Sequence, residues 1–135
     1  MSNTLTSPPA GHWPERRSII SAQLQTQFGI DQGLSIEQCL AGSGLTLSQL
    51  GDPASEIDAS QELILIGNLV AALGHIPDLG LLAGQRYHLS TYGIWGFALL
   101  SCPTLRSAAN MGLRYLDLTY AFCRMHLEED RKSVV

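Results

Sequence analysis

The feature that most constrains the fold is a pair of short apolar segments, each opened by a strong helix-start signal. GLSIEQCL (33–40) and GLTLSQL (44–50) share one pattern, in which Ser or Thr is followed three residues later by Gln. This is the pattern of a capping box, in which the two residues satisfy each other's free backbone amides at a helix start. The sequence therefore predicts two short helices joined by a tight AGSG turn.

Apolar residues at helical spacing predict longer helices before and after this pair. The first begins at Pro14 and is closed by Gly29, and the second begins at Asp58 or Ser60 and ends at Gly74. The residues expected to face the core are Ile20, Leu24 and Phe28 in the first helix, and Leu63, Ile66, Val70 and Leu73 in the second.

Three further helices are predicted in the second half of the chain. One covers residues 79–90 and is capped by Asp78, one follows Gly93, and the last begins at Pro103. The last helix separates an apolar face from a polar one, which is typical of a helix packed on a core. The apolar face consists of Leu105, Ala109, Leu116 and Tyr120.

The chain changes character after Ala121, where FCRMHLEE alternates apolar and polar residues as a strand does. A strand is not stable without a partner, so it either pairs with another chain or belongs to a longer protein. The fold class predicted is mainly α (α+β), a helical bundle-like domain with a small, truncated β portion at its C-terminal end. Residues 1–13, rich in Ser, Thr, Pro and Gly, are expected to be a flexible leader, and residues 14–135 one incomplete domain.

Composition excludes several classes of protein. With 45% hydrophobic residues, 15% charged residues and a net charge of −4, the chain resembles an ordinary globular domain. It lacks the basic surface that DNA binding requires. The N-terminus has no signal-peptide pattern, and the longest apolar run, Gly93 to Leu100, is too short to span a membrane. We expect a cytoplasmic protein without membrane contact, in which Cys39, Cys102 and Cys123 are buried thiols.

The sequence contains no pattern that predicts catalysis or metal binding. Metalloprotease, nucleophile-elbow, P-loop and calcium-loop motifs are all missing. The four histidines are far apart, and no nucleophile has a base beside it. We therefore predict a protein that is not an enzyme, with no catalytic residues, no metal site and no cofactor.

The glycine-rich stretch GLLAGQRYHLSTYGIWGFALLSC (80–102) permits two interpretations. In the first, Gly80 and Gly84 allow close packing of a helical pair, whose core includes Trp95 and Phe97. In the second, polar side chains of this stretch stand at the rim of an apolar cavity, as in many ligand pockets. Those side chains are Arg86, Tyr87, His88 and Tyr92.

The block LGLLAGQRYHLSTYGIWGFALLSCPTLRSAANMGLRYLDL (79–118) resembles the N-terminal effector domain, of the arabinose-binding type, of AraC/XylS transcription regulators. The pieces LAGSGLTLSQLGDP and IDASQELILIGNLV agree with it, and the resemblance covers roughly residues 16–127. It implies a domain that senses a small-molecule effector in a regulator that binds DNA through two helix-turn-helix motifs. That DNA-binding half is missing here, so DNA would be a partner only through the missing C-terminal domain.

If the domain binds an effector, we expect the ligand between the 79–102 helices and a sheet that begins near Phe122. The polar groups placed to contact it are Arg86, Tyr87, His88, Tyr92 and Arg114. Two arginines favour an anionic ligand over a neutral sugar. The competing account pairs an arginine internally with Asp78 or Asp117.

Two other functions stay open at this stage. The first is a helical dimerisation or interaction module that binds no ligand, with a second copy of the chain as partner. The second is a haem-type sensor with His88 as axial ligand.

Overall fold

The computed structural model describes residues 4–6 and 15–128. These form two compact units, one of residues 15–91 and the other of the described residues on either side. The helices are α1 (Ile20–Asp31), α2 (Ile36–Leu40), α3 (Leu47–Leu50), α4 (Ala59–Leu73), α5 (Leu79–Gly84), α6 (Ile94–Leu100) and α7 (Leu105–Arg114). The strands are β1 (Thr4–Thr6), β2 (Arg16–Ser18), β3 (Glu56–Asp58) and β4 (His126–Glu128). The predicted class, mainly α with a small β portion, is confirmed.

The unit of residues 15–91 opens with a strand, where the sequence predicted a helix from Pro14. Strand β2 pairs antiparallel with β3, so that Arg17 lies opposite Ile57, and both side chains are buried. Helix α1 begins only at Ile20 and continues through Gly29 to Asp31. Because the partner strand lies about forty residues away in sequence, the local apolar spacing could not reveal this pairing.

The core of this unit forms between α1, α2 and α4. Its buried apolar residues are Ile19, Ala22, Phe28, Cys39, Leu45, Ile57, Leu65, Leu69 and Leu73. The predicted core face of α4 is wrong for Leu63 and Val70, which are 42% and 55% exposed. In α1, Phe28 is buried as predicted, whereas Ile20 and Leu24 are only half-buried.

Both predicted capping boxes are confirmed. The Gln38 amide donates to the Ser35 hydroxyl at 3.1 Å, and the Ser35 amide donates to the Gln38 side chain at 2.8 Å. Thr46 and Gln49 repeat the arrangement at the start of α3. Helix α4 begins after Asp58 and ends at Gly74, also as predicted.

The helix predicted over 79–90 is shorter than expected. Helix α5 ends at Gly84, and a 3₁₀ turn covers Leu89–Tyr92. Asp78 occupies the cap position with a φ of 58°, and its side chain makes no capping hydrogen bond. Gly80 and Gly84 are exposed, and a Cβ atom at either would meet nothing within 4 Å, so their predicted role in close packing is wrong.

In the other unit, α6 packs on α7 around Gly112. The Trp95 indole nitrogen donates to the Gly112 carbonyl at 3.2 Å, and a Cβ atom at Gly112 would lie 3.3 Å from Trp95 and Leu99. Phe97 was predicted in the core but is 64% exposed, and Leu105, predicted on the buried face of α7, is 88% exposed.

The strand predicted from Phe122 onward is confirmed only over His126–Glu128, and its partner lies within the chain. Strand β4 pairs antiparallel with β1, with Leu127 opposite Leu5. The partner strand therefore comes from the segment expected to be a flexible leader. Residues 1–3, 7–14 and 129–135 lie outside the described residues, and so does the helix start predicted at Pro14.

The three cysteines do not share one environment. Cys39 is buried, and burial raises the pKa of its thiol. Cys102 is half-buried and Cys123 is exposed, so the expectation of three buried thiols is wrong for Cys123.

Candidate functional site

The five side chains proposed as ligand contacts divide between the two units. Arg86, Tyr87 and His88 follow α5 in the unit of residues 15–91, whereas Tyr92 and Arg114 belong to the other.

Arg86 forms an ion pair on the surface of its unit. Its guanidinium donates to the Asp31 carboxylate at 2.6 Å and lies 5.5 Å from the centre of the Phe28 ring. The two charged side chains are 36% and 40% exposed. An internal ion pair was the competing sequence interpretation, but its partner is Asp31 and not Asp78 or Asp117. This contact fastens the segment after α5 to the end of α1.

The ion pair changes the titration of Asp31. The hydrogen bond from Arg86, followed by one from Gln27, lowers the pKa of the Asp31 carboxyl below its ordinary value. A carboxyl whose pKa is lower folded than unfolded adds stability above its unfolded pKa, and this stability is lost as the pH falls through the folded pKa.

We expect Arg86→Gln to raise the pKa of Asp31 toward its ordinary value, because the charged donor is removed. An NMR pH titration of the Asp31 carboxyl measures this. Arg16→Gln is the matched control, since Arg16 pairs with Glu56 and Asp58 and not with Asp31. An unchanged Asp31 titration in Arg86→Gln would contradict the assignment.

Tyr87 is half-buried, and its hydroxyl takes part in a polar network. Its hydroxyl lies 2.7 Å from the Ser21 hydroxyl and accepts a hydrogen bond from the Gln25 amide at 3.0 Å. Ser21 and Gln25 lie on α1, one helical turn apart, so both side chains reach the same point. The phenol therefore joins the segment after α5 to the middle of α1.

The centre of this network is an ion pair between Arg17 of β2 and Glu62 of α4. The guanidinium donates to Glu62 Oε2 at 3.0 Å, and the two side chains are 4% and 0% exposed. The other carboxylate oxygen, Oε1, accepts from the Ser21 hydroxyl at 2.5 Å and from the Gln25 amide at 3.1 Å. The attraction within a buried ion pair offsets the loss of hydration only when further hydrogen bonds satisfy the carboxylate oxygens, as they do for Glu62.

One acceptor in this network has no partner in the described part of the chain. The side-chain oxygen of Gln25, Oε1, is buried and accepts no hydrogen bond. A buried carbonyl oxygen without a donor is unfavourable, so such atoms usually bind water or a ligand group. The Gln25 side chain thus carries both the NH2 group that donates to Tyr87 and an oxygen that can still accept a hydrogen bond.

Sequence reasoning found Tyr87 and missed the groups that surround it. The sequence pattern predicts a helix across Arg17 and assigns no functional role to Ser21, Gln25 or Glu62. The available signal was Glu62, which is the one charged residue between Asp58 and His75. A carboxylate in that position is rarely buried without a cationic partner.

The remaining proposed contacts have different surroundings. His88 is exposed, and its backbone amide donates to the Thr91 hydroxyl at 3.1 Å. In the other unit, Tyr92 is half-buried, 5.2 Å from the Trp95 ring and 5.7 Å from the Tyr120 ring. Burial, and then the neighbouring Tyr120 phenol, raises the pKa of Tyr92. Arg114 is exposed in the last turn of α7.

Within residues 4–6 and 15–128, no three His, Cys, Asp or Glu side chains come together in a way that could hold a metal ion. Among the same residues, no helix combines the length and the apolar character that a bilayer crossing needs.

A comparison with known protein families identifies one family that the chain matches. Residues 33–135 match the family described as the arabinose-binding domain of AraC transcription regulators, N-terminal. The chain belongs to this family. The match contains Glu62, Arg86 and Tyr87, whereas Arg17, Ser21 and Gln25 precede its first residue.

Relatives of this arabinose-binding-domain chain include two curated mycobacterial proteins. Each is named as an uncharacterised HTH-type transcriptional regulator, one from Mycobacterium bovis and one from Mycobacterium tuberculosis. Each is 29% identical over 113 residues, which cover 81% of this chain and 33% of the relative. The chain thus spans about a third of the length of these relatives. No solved structure matches the chain.

Proposed function

We propose that the chain is the effector-sensing N-terminal domain of an AraC-type regulator, which acts on transcription through a DNA-binding part of a longer protein. The observation that carries the proposal is the family match over residues 33–135. The names of the two relatives support it, because both are called HTH-type transcriptional regulators. The proposal includes a small-molecule effector, a homodimer and a cytoplasmic location, where bacterial DNA lies, and it includes no catalysis.

Within this proposal, Tyr87 is the central effector contact. Its hydroxyl and the unpartnered Gln25 oxygen belong to one polar network, and the Gln25 oxygen is an acceptor that a donor group of a ligand could satisfy. An effector that contacts this network would also act on the segment that Tyr87 fastens to α1. Arg86 and His88, which belong to the same unit, stay in the proposal as further contacts. The assignment of Tyr92 and Arg114 as contacts stays a prediction from the sequence. An anionic effector would compete with Asp31 for Arg86.

The experiment is calorimetric titration of the purified chain with three classes of small molecule: carboxylates, neutral sugars and amino acids. We expect one class to bind and Tyr87→Phe to weaken that binding roughly tenfold, which corresponds to about 1.4 kcal/mol. Tyr115→Phe is the matched control, because Tyr115 is 46% exposed and lies at the end of α7. Thermal melting of both variants separates lost binding from lost folding.

Each possible result decides between the accounts. Unchanged binding in Tyr87→Phe, and separately in Arg86→Gln, would show that the contacts are assigned wrongly. Failure of all three classes to bind would instead favour the second candidate function, a dimerisation or interaction module without a ligand. The exposed apolar side chains of α4 and α6 favour that alternative, because such side chains in a group often mark an interface.

A further inference from the structure

The segment that leads from α4 into the other unit contains no buried side chain. Every residue between Leu73 and Gly96 is exposed or half-buried. The unit of residues 15–91 ends within this segment, which therefore carries the chain out of it. A part of a protein with few buried apolar contacts opens locally at a lower free energy than the whole domain unfolds. The position of this segment thus depends on a small number of contacts with the rest of its unit.

Residues 79–91, the strap, lie between two positions where the backbone φ angle is positive. Asp78 has a φ of 58° and Gly93 a φ of 55°. Glycine adopts this conformation readily, whereas in aspartate it is less favourable and must be held by the surrounding structure. Hinges of moving segments are residues at the ends of elements that absorb a change in φ and ψ. The strap has such a position on either side.

Helix α5 attaches the first half of the strap to the core of the unit. Leu79 and Ala83 lie one turn apart on this helix and pack, half-buried, against the core cluster, whereas Leu81 is exposed. A helix of six residues is too short to persist in water by itself. Detachment of the strap therefore also breaks the hydrogen bonds within α5, and hydrogen exchange can detect it.

Two neighbouring side chains attach the second half of the strap at separate points on α1. Tyr87 contacts Ser21 and Gln25 in the first half of α1, and Arg86 contacts Asp31 at its last residue. At 1.5 Å of rise per residue, Gln25 and Asp31 are about 9 Å apart along the helix axis. Two contacts at this separation fix both the position and the direction of the strap on α1.

The hydrogen bonds at Tyr87 run in one direction, toward Glu62. The single hydroxyl proton of Ser21 is donated to the Glu62 carboxylate, which is paired with Arg17. In the contact between the two hydroxyls, Tyr87 is therefore the donor and Ser21 the acceptor. A chain of hydrogen bonds that ends on a charged group is stronger than the same bonds between neutral groups. The Tyr87 hydroxyl is thus the strongest candidate for the group that holds the strap closed.

We propose that the strap opens and closes as one unit, and that the side chains of Tyr87 and Arg86 hold it closed. Opening brings water to Ser21 and Gln25, which Tyr87 contacts in the closed form. An effector that contacts both Gln25 and Tyr87 would join α1 to the strap and keep it closed, and this role rests on the proposed function. The opening itself does not, because it takes place in the chain without an effector.

Hydrogen exchange of backbone amides, followed by NMR on the full chain without ligand, tests the proposal. The amides of Leu82, Gln85 and Tyr87 are hydrogen-bonded within the closed strap. We expect Tyr87→Phe to speed exchange at all three by the same factor, roughly tenfold, because the closed form loses the hydroxyl contacts. The amides of α4 should exchange at the wild-type rate, since the rest of the unit stays folded.

Tyr115→Phe is the matched control for the lost hydroxyl. It makes the same change at a 46% exposed tyrosine outside the strap and outside its unit. We expect exchange at the three strap amides to be unchanged in this variant.

Arg86→Gln tests the second attachment, through its dependence on salt. The Arg86–Asp31 ion pair is partly exposed, so salt screens it. In the wild type, the strap amides should exchange about threefold faster at about 0.5 M than at about 0.05 M sodium chloride, relative to the amides of α4. Arg86→Gln should show the faster rate at both concentrations.

Four results would overturn the proposal. The first is unchanged exchange of the strap amides in Tyr87→Phe, and the second is faster exchange of the Tyr87 amide alone, because the strap would then not open as one unit. The third is an equal increase in α4, because the hydroxyl would then stabilise the whole unit. The fourth is strap exchange that neither salt nor Arg86→Gln changes. Failure of every effector to bind would contradict the proposed function and leave these measurements unaffected.

Discussion

Glu62→Ala should destabilise the chain by about 3–5 kcal/mol, the largest effect that we expect from a single polar substitution. The substitution leaves the Arg17 guanidinium buried without the carboxylate at 3.0 Å, and the hydroxyl of Ser21 and the amide of Gln25 lose the same acceptor. Breaking a buried ion pair by removing one partner destabilises the folded state strongly, even where the intact pair is no more stabilising than two apolar residues in its place. Urea unfolding monitored by circular dichroism measures the difference in the free energy of unfolding.

Two controls test whether burial causes the effect. Glu56→Ala removes a carboxylate from an ion pair with Arg16 whose side chains are 65% and 59% exposed, and it should cost less than about 1 kcal/mol. Replacing both Arg17 and Glu62 by Met should recover much of the stability lost in Glu62→Ala, because no buried charge is then left over. Equal losses from Glu62→Ala and Glu56→Ala would contradict the buried ion pair.

The helix starts were predictable because the signals for them are local. A capping box involves residues only three apart in sequence. The starts of α2 and α3 are therefore visible locally, in the pairs Ser35–Gln38 and Thr46–Gln49. The end of α4 at Gly74 was predicted on the same local basis. The β2–β3 pairing was not predictable in this way, because its two strands lie on opposite sides of the first three helices.

The buried face of α4 could not be chosen from the sequence. Apolar residues lie on more than one side of this helix. The helical period therefore fits the stripe of Leu63, Ile66 and Val70 as well as that of Leu65 and Leu69. Packing against α1 and α2 decides in favour of the second. The burial of Glu62 follows from the same choice, since it lies on the face of Leu65 and Leu69.

The candidate site was predictable only in part, for a similar reason. The cluster of polar residues around Tyr87 is visible in the sequence, whereas its partners Ser21 and Gln25 come from a helix some sixty residues earlier. The ion pair of Arg86 was anticipated, but its carboxylate comes from Asp31 at the end of that same helix. Contacts between distant segments depend on the tertiary packing, which the local pattern does not contain.

Gly29→Ala should destabilise the chain by about 1–3 kcal/mol, although alanine favours helices. A Cβ atom at Gly29 would lie 2.6 Å from Cys39 Sγ and 2.6 Å from Leu69 Cδ2. Both close atoms are side-chain atoms of buried core residues, so Cys39 and Leu69 must shift within a filled core, or α2 and α4 must move away from α1. The helix preference for alanine, about 0.5–1 kcal/mol, offsets only part of this cost.

Gly67→Ala is the control with the opposite expected sign. Gly67 also lies inside a helix, but a Cβ atom there would meet nothing within 4 Å, so only the helix preference acts. We expect it to stabilise the chain by about 0.5–1 kcal/mol in urea unfolding at low micromolar concentration. Because both substitutions add one methyl group to a helical glycine, the difference between them measures the close approach of α2 and α4 to α1. If Gly29→Ala were as stable as Gly67→Ala, the side chains of Cys39 and Leu69 would not be packed against Gly29 as closely as the 2.6 Å distances indicate.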